Sequence, residues 1–332
     1  MNVNGRIKKI LAIRGMGQVL TVTVGLIILY TVFGLLNPSF FSEKNVGNLL
    51  RQIAPILIIG IGQSYVLITG NIDLSIGSVV GMSCMASATM MTKGVNPTVA
   101  VGVTLVCCLA VGIINGLLVA KCKLPPFIAT LGTMTITRGI AQIVNNNYNT
   151  DSIGDGARGF RNFFYYGKTL GLYNTIWIAV VLWLVFNFLL SKTKSGRHIY
   201  AIGSNQEAAK LSGVSVVGTT VKVYLVSSFC AAIVGLSICA TSGMGTMDAG
   251  NSYEMYAVAA SVIGGVSTLG GQGILLGTIV GAAIWGVLQN GLQFAGAPVA
   301  IRNIVIGVIV VVSVLLDIIV RTGKPIRPKK AD

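Results

Sequence analysis

The chain has 332 residues, of which 53% are hydrophobic and 10% charged, with a mean hydropathy of +0.80. A soluble domain carries about 25% charged residues, so this chain has too few charges to cover a water-facing surface. Its net charge of +15 comes from 24 basic and 9 acidic residues, and the bases collect at the ends of apolar runs, which points to a membrane and away from nucleic acid.

A helix needs about 20 apolar residues to cross the hydrocarbon layer. In chain order the apolar runs predict spans at 16–36, 52–69, 76–92, 97–120, 127–146, 175–191, 219–241, 254–267, 274–294 and 299–320. The fold class is therefore all-α, a polytopic membrane protein of ten helices in a single transmembrane domain over residues 1–332, with eight spans as the alternative. The basic stretch Arg6, Lys8, Lys9 and Arg14 precedes the first run. That run exceeds the core of about 7–15 residues typical of a cleaved signal, so it is expected to be a retained membrane helix. The eighth run is short and flanked by glycine.

Alternating the spans from a cytoplasmic N-terminus puts Lys121, Lys123, Lys192, Lys194, Arg197, Lys210 and the C-terminal bases inside. The outer segments then dilute their bases with Glu43, Asp151, Asp155, Asp248 and Glu254. This follows the positive-inside rule with both termini cytoplasmic. Residues 147–174 form the long outer connection, expected to hold a surface helix, and 192–218 form the only long polar cytoplasmic loop. Cys84, Cys107, Cys108, Cys122, Cys230 and Cys239 all lie in or beside apolar runs. They read as buried apolar residues and not as a disulfide framework or metal site, since the sole histidine is His198.

Ordinary enzyme chemistry is not visible. No Gly-x4-Gly-Lys-Ser/Thr phosphate loop occurs, and one histidine leaves little scope for acid–base work. Leu269 to Gly273 shares letters with the signature loop of ABC ATPases, but it lies between apolar runs and lacks a phosphate loop, so it is read as coincidence. No metal or cofactor is expected on this chain.

Four stretches carry information. Thr69 to Ser78 interrupts an apolar region with Gly70, Asn71, Asp73, Ser75 and Gly77. A carboxylate at membrane depth must face protein or water, and broken backbone survives there only beside a cavity or packed on protein. Asn71, Asp73 and Ser75 thus either line a pathway or gate, or Asp73 and Ser75 cap the following helix. Next, Pro125-Pro126 opens a helix with Thr130, Thr133 and Thr137 on one stripe and Arg138 inside the span. The stripe either faces an aqueous path or bonds its own backbone, and Arg138 needs a carbonyl, acid or water partner. In the loop 192–218, Asn205 or Ser204 is the candidate N-cap of a short helix, Glu207-Ala208-Ala209-Lys210-Leu211, which Gly213 stops. Such a helix either receives a soluble partner or is an ordinary solvated loop. Last, Gly273, Gly277 and Gly281 recur every fourth residue, the spacing that lets helix backbones approach closely. Gln289, Asn290 and Gln293 follow, and either line a polar path or bond between helices.

Together these stretches resemble the permease subunits of ribose- and galactose-type sugar ABC importers. The pattern Gly-x-Ile-Asp-Leu-Ser-x-Gly-Ser matches Gly70 to Ser78, with Asn71 where glycine is common. Pro-x-Phe-Ile-x-Thr-Leu-Gly-Thr-Met matches Pro125 to Met134, with Arg138-Gly139 following. Ala-Ile-Gly-x-Asn-x-x-Ala-Ala-x-x-Ser-Gly-Val matches Ala201 to Val214, and Tyr253 to Gly265 with the glycine-rich run after it match the C-terminal half. The resemblance implies the ABC importer permease fold in the cytoplasmic (inner) membrane, surrounded by lipid, with a second permease copy. It implies ATPase subunits, carrying ATP and Mg, docked at Gly203, Asn205, Glu207, Ala208, Ala209 and Gly213, and an extracytoplasmic sugar-binding protein on the outer face. The expected cargo is a monosaccharide or similar polyol. Nucleosides, autoinducer-2 and branched-chain amino acids are alternatives within the superfamily. An ion-coupled secondary transporter, needing an intramembrane acid site at Asp73, Glu254 or Asp317, and a channel or scaffold are the rivals from other classes.

Overall fold

The computed structural model describes residues 16–322. The terminal basic residues Arg6, Lys8, Lys9, Arg14, Lys324, Arg327, Lys329 and Lys330 lie outside the described residues. Among the described residues the only strands are a two-residue hairpin pair, Lys168–Thr169 with Leu172–Tyr173; the remainder is helices joined by turns and irregular segments.

The first helix, α1 (Met16–Leu36), ends at Asn37-Pro38, where the Asn37 side chain accepts from the Ser39 N–H and a short 3-10 turn follows. Helix α2 (Glu43–Ile68) starts on the Ser42 hydroxyl, which accepts from the Asn45 N–H at 3.3 Å. After the break at 69–75 come α3 (Ile76–Thr92), α4 (Pro97–Ala120) and α5 (Pro126–Ile143). Proline fits the first turn of α4 and α5 because the N–H it lacks has no helical partner there. The outer connection follows, then α6 (Asn174–Lys192), α7 (Lys194–Ser204), α8 (Gln206–Leu211), α9 (Val216–Ser242), α10 (Tyr253–Ile263), α11 (Leu275–Phe294) and α12 (Val299–Thr322).

Each of the ten expected spans coincides with a helix. Six of them, α1, α2, α4, α6, α9 and α11, are long and apolar enough to cross a membrane alone. The second span is longer than expected, beginning at Glu43. The eighth is shorter, ending at Ile263. At about 1.5 Å per residue, the 11 residues of α10 cover roughly half of a hydrocarbon layer about 30 Å thick. The connection 147–174 holds the expected surface helix as one continuous helical stretch, Asp155–Ala157, Arg158–Arg161 and Asn162–Tyr166, which buries Ala157, Phe160 and Phe164.

Helices α2 and α9 form the centre. About 72% of the apolar stretch of each is buried, against 17% for α1, 28% for α4 and 22% for α6, whose exposed Val, Ile and Leu side chains suit lipid. Small residues set the closest approaches. A Cβ on Gly112 of α4 would meet the Ser228 hydroxyl and the Tyr224 carbonyl of α9, each at 2.8 Å, and one on Gly116 would meet Val221 Cα at 2.6 Å. Without a hydrophobic driving force between helices in lipid, such backbone proximity is a main source of association. All six cysteines are free; four are buried as expected, but Cys107 and Cys122 are exposed.

Candidate functional site

Helix α2 stops because its last turn is diverted. Thr69 N–H and Gly70 N–H bond back to the Val66 and Leu67 carbonyls, and Gly70 takes φ +77, a conformation glycine adopts without strain. The chain then runs without regular secondary structure to Ser75. Asp73 is fully buried here. Its Oδ1 accepts from the Ser75 N–H at 2.9 Å and the Ser75 hydroxyl at 2.6 Å, and its Oδ2 accepts from the Ser227 hydroxyl of α9 at 2.7 Å. The Asn115 amide of α4 donates to the Ser75 hydroxyl at 2.8 Å, and the Thr133 hydroxyl of α5 donates to Asn115 Oδ1 at 2.6 Å. Tyr224 of α9 donates to the Ile72 carbonyl at 3.0 Å. Five elements thus close on one polar joint, with Asp73 holding the entry to α3. Asn71 turns back to Thr69, its amide donating to Oγ1 at 2.8 Å.

A second irregular segment meets the first. After α9 the chain is pinned to the outer connection by Thr150, whose N–H donates to the Gly245 carbonyl and whose hydroxyl accepts from the Gly245 N–H. It then descends to Gly250, which packs on the Gly77 carbonyl and Val80 of α3, and only there does α10 begin. Arg138, the cation inside α5, finds the carbonyl partner it requires: Nη1 donates to the Ala249 oxygen at 2.6 Å. Glu254, in the first turn of α10, has its carboxylate against Gly77, in the first turn of α3. Short helices α3 and α10 therefore present their N-termini to one another inside the bundle. Carboxylates are favourable at such ends, where free N–H groups and the helix dipole are positive, and paired half-helices are a recurring way to build a movable crossing in transporters. Of the threonine stripe, Thr130 bonds its own backbone at the Pro126 carbonyl and Thr133 joins the joint.

The loop 192–218 holds two helices where one was expected. Helix α8 has the anticipated cap, Asn205 Oδ1 accepting from the Ala208 N–H at 2.9 Å, and Gly213 ends it at φ +81. Ahead of it, α7 wedges into the bundle. Gly203 lies against the Ile68 carbonyl and the Gly271 N–H, and the Tyr200 hydroxyl donates to the Gly273 carbonyl at 2.6 Å. The Gly271 N–H itself donates to the Ile68 carbonyl at 2.8 Å. Burial pushes the Tyr200 phenol up to about 12. The face of α8 carrying Gln206, Glu207, Ala208, Lys210 and Leu211 is exposed, while Ala209 is buried. Gly277 and Gly281 pack on Gly264 and Ala260 of α10, but Gly273 precedes α11, at φ +145 in the turn that receives Tyr200.

Between the N-terminal parts of α2 and α10 and the C-terminal parts of α9 and α11 lies a cavity of about 430 Å³. Gln289 lines it together with Trp285, Tyr253, Tyr256 and Gln293. Asn290 is buried instead and accepts from the Asn45 amide at 3.0 Å. Of the two adjacent amides, Gln289 thus lines a cavity and Asn290 makes a bond between helices. Asn115, Ser227, Tyr200 and the aromatic wall of the cavity were not singled out from the sequence. Asn115, a lone amide in the apolar run from Val111 to Ala120, was the visible signal; Ser227 and Tyr200 carry none. Among the described residues no cluster of His, Cys, Asp and Glu could hold a metal ion.

Residues 45–314 match the family described as branched-chain amino acid transport system / permease component. The chain is 36% identical over 305 residues to the ribose import permease protein of Bacillus subtilis strain 168, covering 91% of this chain and 94% of that one. It is 33% identical to the D-allose transport system permease protein of Escherichia coli K12, with 88% and 89% covered. It is 34% identical to the galactose/methyl galactoside import permease protein of Haemophilus influenzae, with 88% and 91% covered. No solved structure matches it.

Proposed function

This chain belongs to the branched-chain amino acid transport system / permease component family, and from that premise we propose that it is the non-catalytic membrane subunit of an ATP-driven importer that moves a monosaccharide inward. The sugar is supported by the relatives named for ribose, allose and galactose. The partners are an ABC ATPase, which binds the ATP and Mg, an extracytoplasmic sugar-binding protein and a second copy of the permease. Both termini are cytoplasmic, and residues 147–174 and 242–254 face the binding protein.

The observation that carries this reading is the seating of α7 and α8. The exposed face of α8 is free to receive a soluble partner, while α7 is packed through Gly203 against the end of α2 and hydrogen-bonded through Tyr200 to the turn before α11. Movement of α8 is passed to both ends of the broken-helix region through backbone contacts that have no slack. Replacing Glu207 and Ala208 together by arginine leaves insertion intact and uncouples ATP hydrolysis from uptake. Vesicles reconstituted with all three partners measure both rates, and uptake still tied to hydrolysis at the wild-type ratio would remove the coupling role.

The family description favours a second reading, import of a branched-chain amino acid. Uptake of labelled leucine by the same vesicles, with no uptake of pentose or hexose, would establish it in place of the first.

A further inference from the structure

The polar groups at the Asp73 joint are partnered, whereas three buried N–H groups in the wall of the cavity, on Arg51, Trp285 and Arg302, are not. Trp285 is fully buried in the cavity wall, yet its indole N–H has no partner, and the Nε–H of Arg51 in the same wall has none either. A buried donor without an acceptor costs about 1–3 kcal/mol, so such groups mark a place where another molecule supplies the acceptor. Arg51 is held flat between Tyr165 and Tyr173, each ring centre 4.0 Å from the guanidinium carbon. Tyr256 stacks at 4.8 Å on Trp285 and 5.3 Å from Tyr253, which fixes an aromatic wall at the start of α10. Gln289 and Gln293 add carboxamides from α11.

The volume, about 430 Å³, falls in the range of about 300–1,000 Å³ typical of small-molecule sites. The composition selects the ligand. Aromatic faces suit the C–H face of a sugar ring, and amides both donate to and accept from hydroxyls. Indole and guanidinium N–H groups only donate, and a hydroxyl oxygen accepts. Among the described residues no carboxylate lines the cavity, while Arg51 and Arg302 do, so an ammonium group would enter beside two cations, which disfavours a free amino acid.

We propose that this cavity is the permease's own receiving site for a neutral monosaccharide, occupied between release from the outer partner and passage inward. The proposal rests on the sugar-importer reading and adds to it a site within this chain. The ring lies on Tyr256, which Trp285 backs, and its hydroxyls exchange hydrogen bonds with Gln289 and Gln293.

The test uses the full-length permease assembled with its ATPase in lipid nanodiscs, with Trp177→Phe and Trp183→Phe so that Trp285 is the reporter. D-Ribose, D-allose, D-galactose, D-galacturonate and L-leucine are titrated while Trp285 emission is followed. Import of the same compounds is measured separately with all partners present. The site predicts saturable change with at least one neutral sugar, weakened about tenfold, one hydrogen bond's contribution, by Gln289→Ala and by Tyr256→Ala. Gln293→Ala, on an exposed side chain, weakens it without risk to the fold. If a neutral sugar is imported, but emission does not respond and the import KM is unchanged in all three variants, the site is overturned and the importer reading stands. If no sugar is imported, both fall. A response confined to galacturonate or leucine overturns the neutral-sugar assignment.

Discussion

Two polar regions lie in this apolar chain, and they are built in opposite ways. At the joint between α2 and α3, Asp73, Ser75, Asn115, Thr133 and Ser227 are buried and linked by hydrogen bonds of 2.6–2.9 Å. At the cavity, Trp285 and Arg51 leave buried N–H groups without partners, and Gln289 and Gln293 face open space. A satisfied network stiffens the structure around it, whereas a half-satisfied one is costly until a ligand completes it. In a membrane protein the contrast separates polar residues that hold the backbone from those left open to a ligand, a distinction that residue type alone does not make.

Removing Asp73 should break the contrast most severely. Asp73→Ala deletes three hydrogen bonds to a buried acceptor. At about 1.5–3 kcal/mol for each bond to a charged group, moderated by relaxation, a loss of at least about 3 kcal/mol is expected. Asp73→Asn retains Oδ1 and should lose less. Gln289→Leu, at the cavity, should change stability by under about 0.5 kcal/mol. Thermal unfolding in one detergent compares the three, and similar midpoints for Asp73→Ala and Gln289→Leu would show that the two regions are not built differently.

A smaller effect is expected where α10 and α11 pack between joint and cavity. Gly277→Val places side-chain atoms on the Gly264 carbonyl, an overpacking cost of about 1–3 kcal/mol. The same change at Gly102 of α4, which has open space around it, should cost nothing and gain a few tenths of a kcal/mol, because valine is the better helix former. Equal losses at the two positions would mean that α10 and α11 are not in contact as described.

The smallest effect concerns Tyr200, which ties α7 to the turn below the joint. Its phenol is raised from 10.0 to about 12 by burial, so the folded state keeps the proton after the unfolded state has lost it. Stability from this group is complete below pH 10 and declines as pH rises from 10 to 12. Tyr200→Phe should remove that part of the decline, at the cost of about 1 kcal/mol for the bond to the Gly273 carbonyl. An unchanged alkaline profile would mean that Tyr200 is solvated and that α7 is not seated.

Much of this protein is written in local pattern. The ten helices, the break at 69–75, the Asn205 cap and the exposed α8 follow from runs of apolar residues, glycine and one capping side chain, features that act over a few positions and need no knowledge of the fold. The need of Arg138 for a partner was equally legible, because a cation inside a span cannot stand alone. Its partner was not: the Ala249 carbonyl is 111 positions away. Helix α7 was missed because Ser195, Gly196 and Gly203 weaken helical propensity, and it is packing on Ile68 and Gly271 that holds it.

Tertiary structure alone decided what each polar residue is for. Asp73 meets Ser227 across 154 positions, and the cavity draws on segments from Arg51 to Arg302. Gln289 and Asn290 are neighbours on one helix, yet one faces the cavity and the other faces Asn45. Helix periodicity turns successive residues about 100° apart, so the sequence fixes which residues share a face. What that face meets depends on how the helices pack.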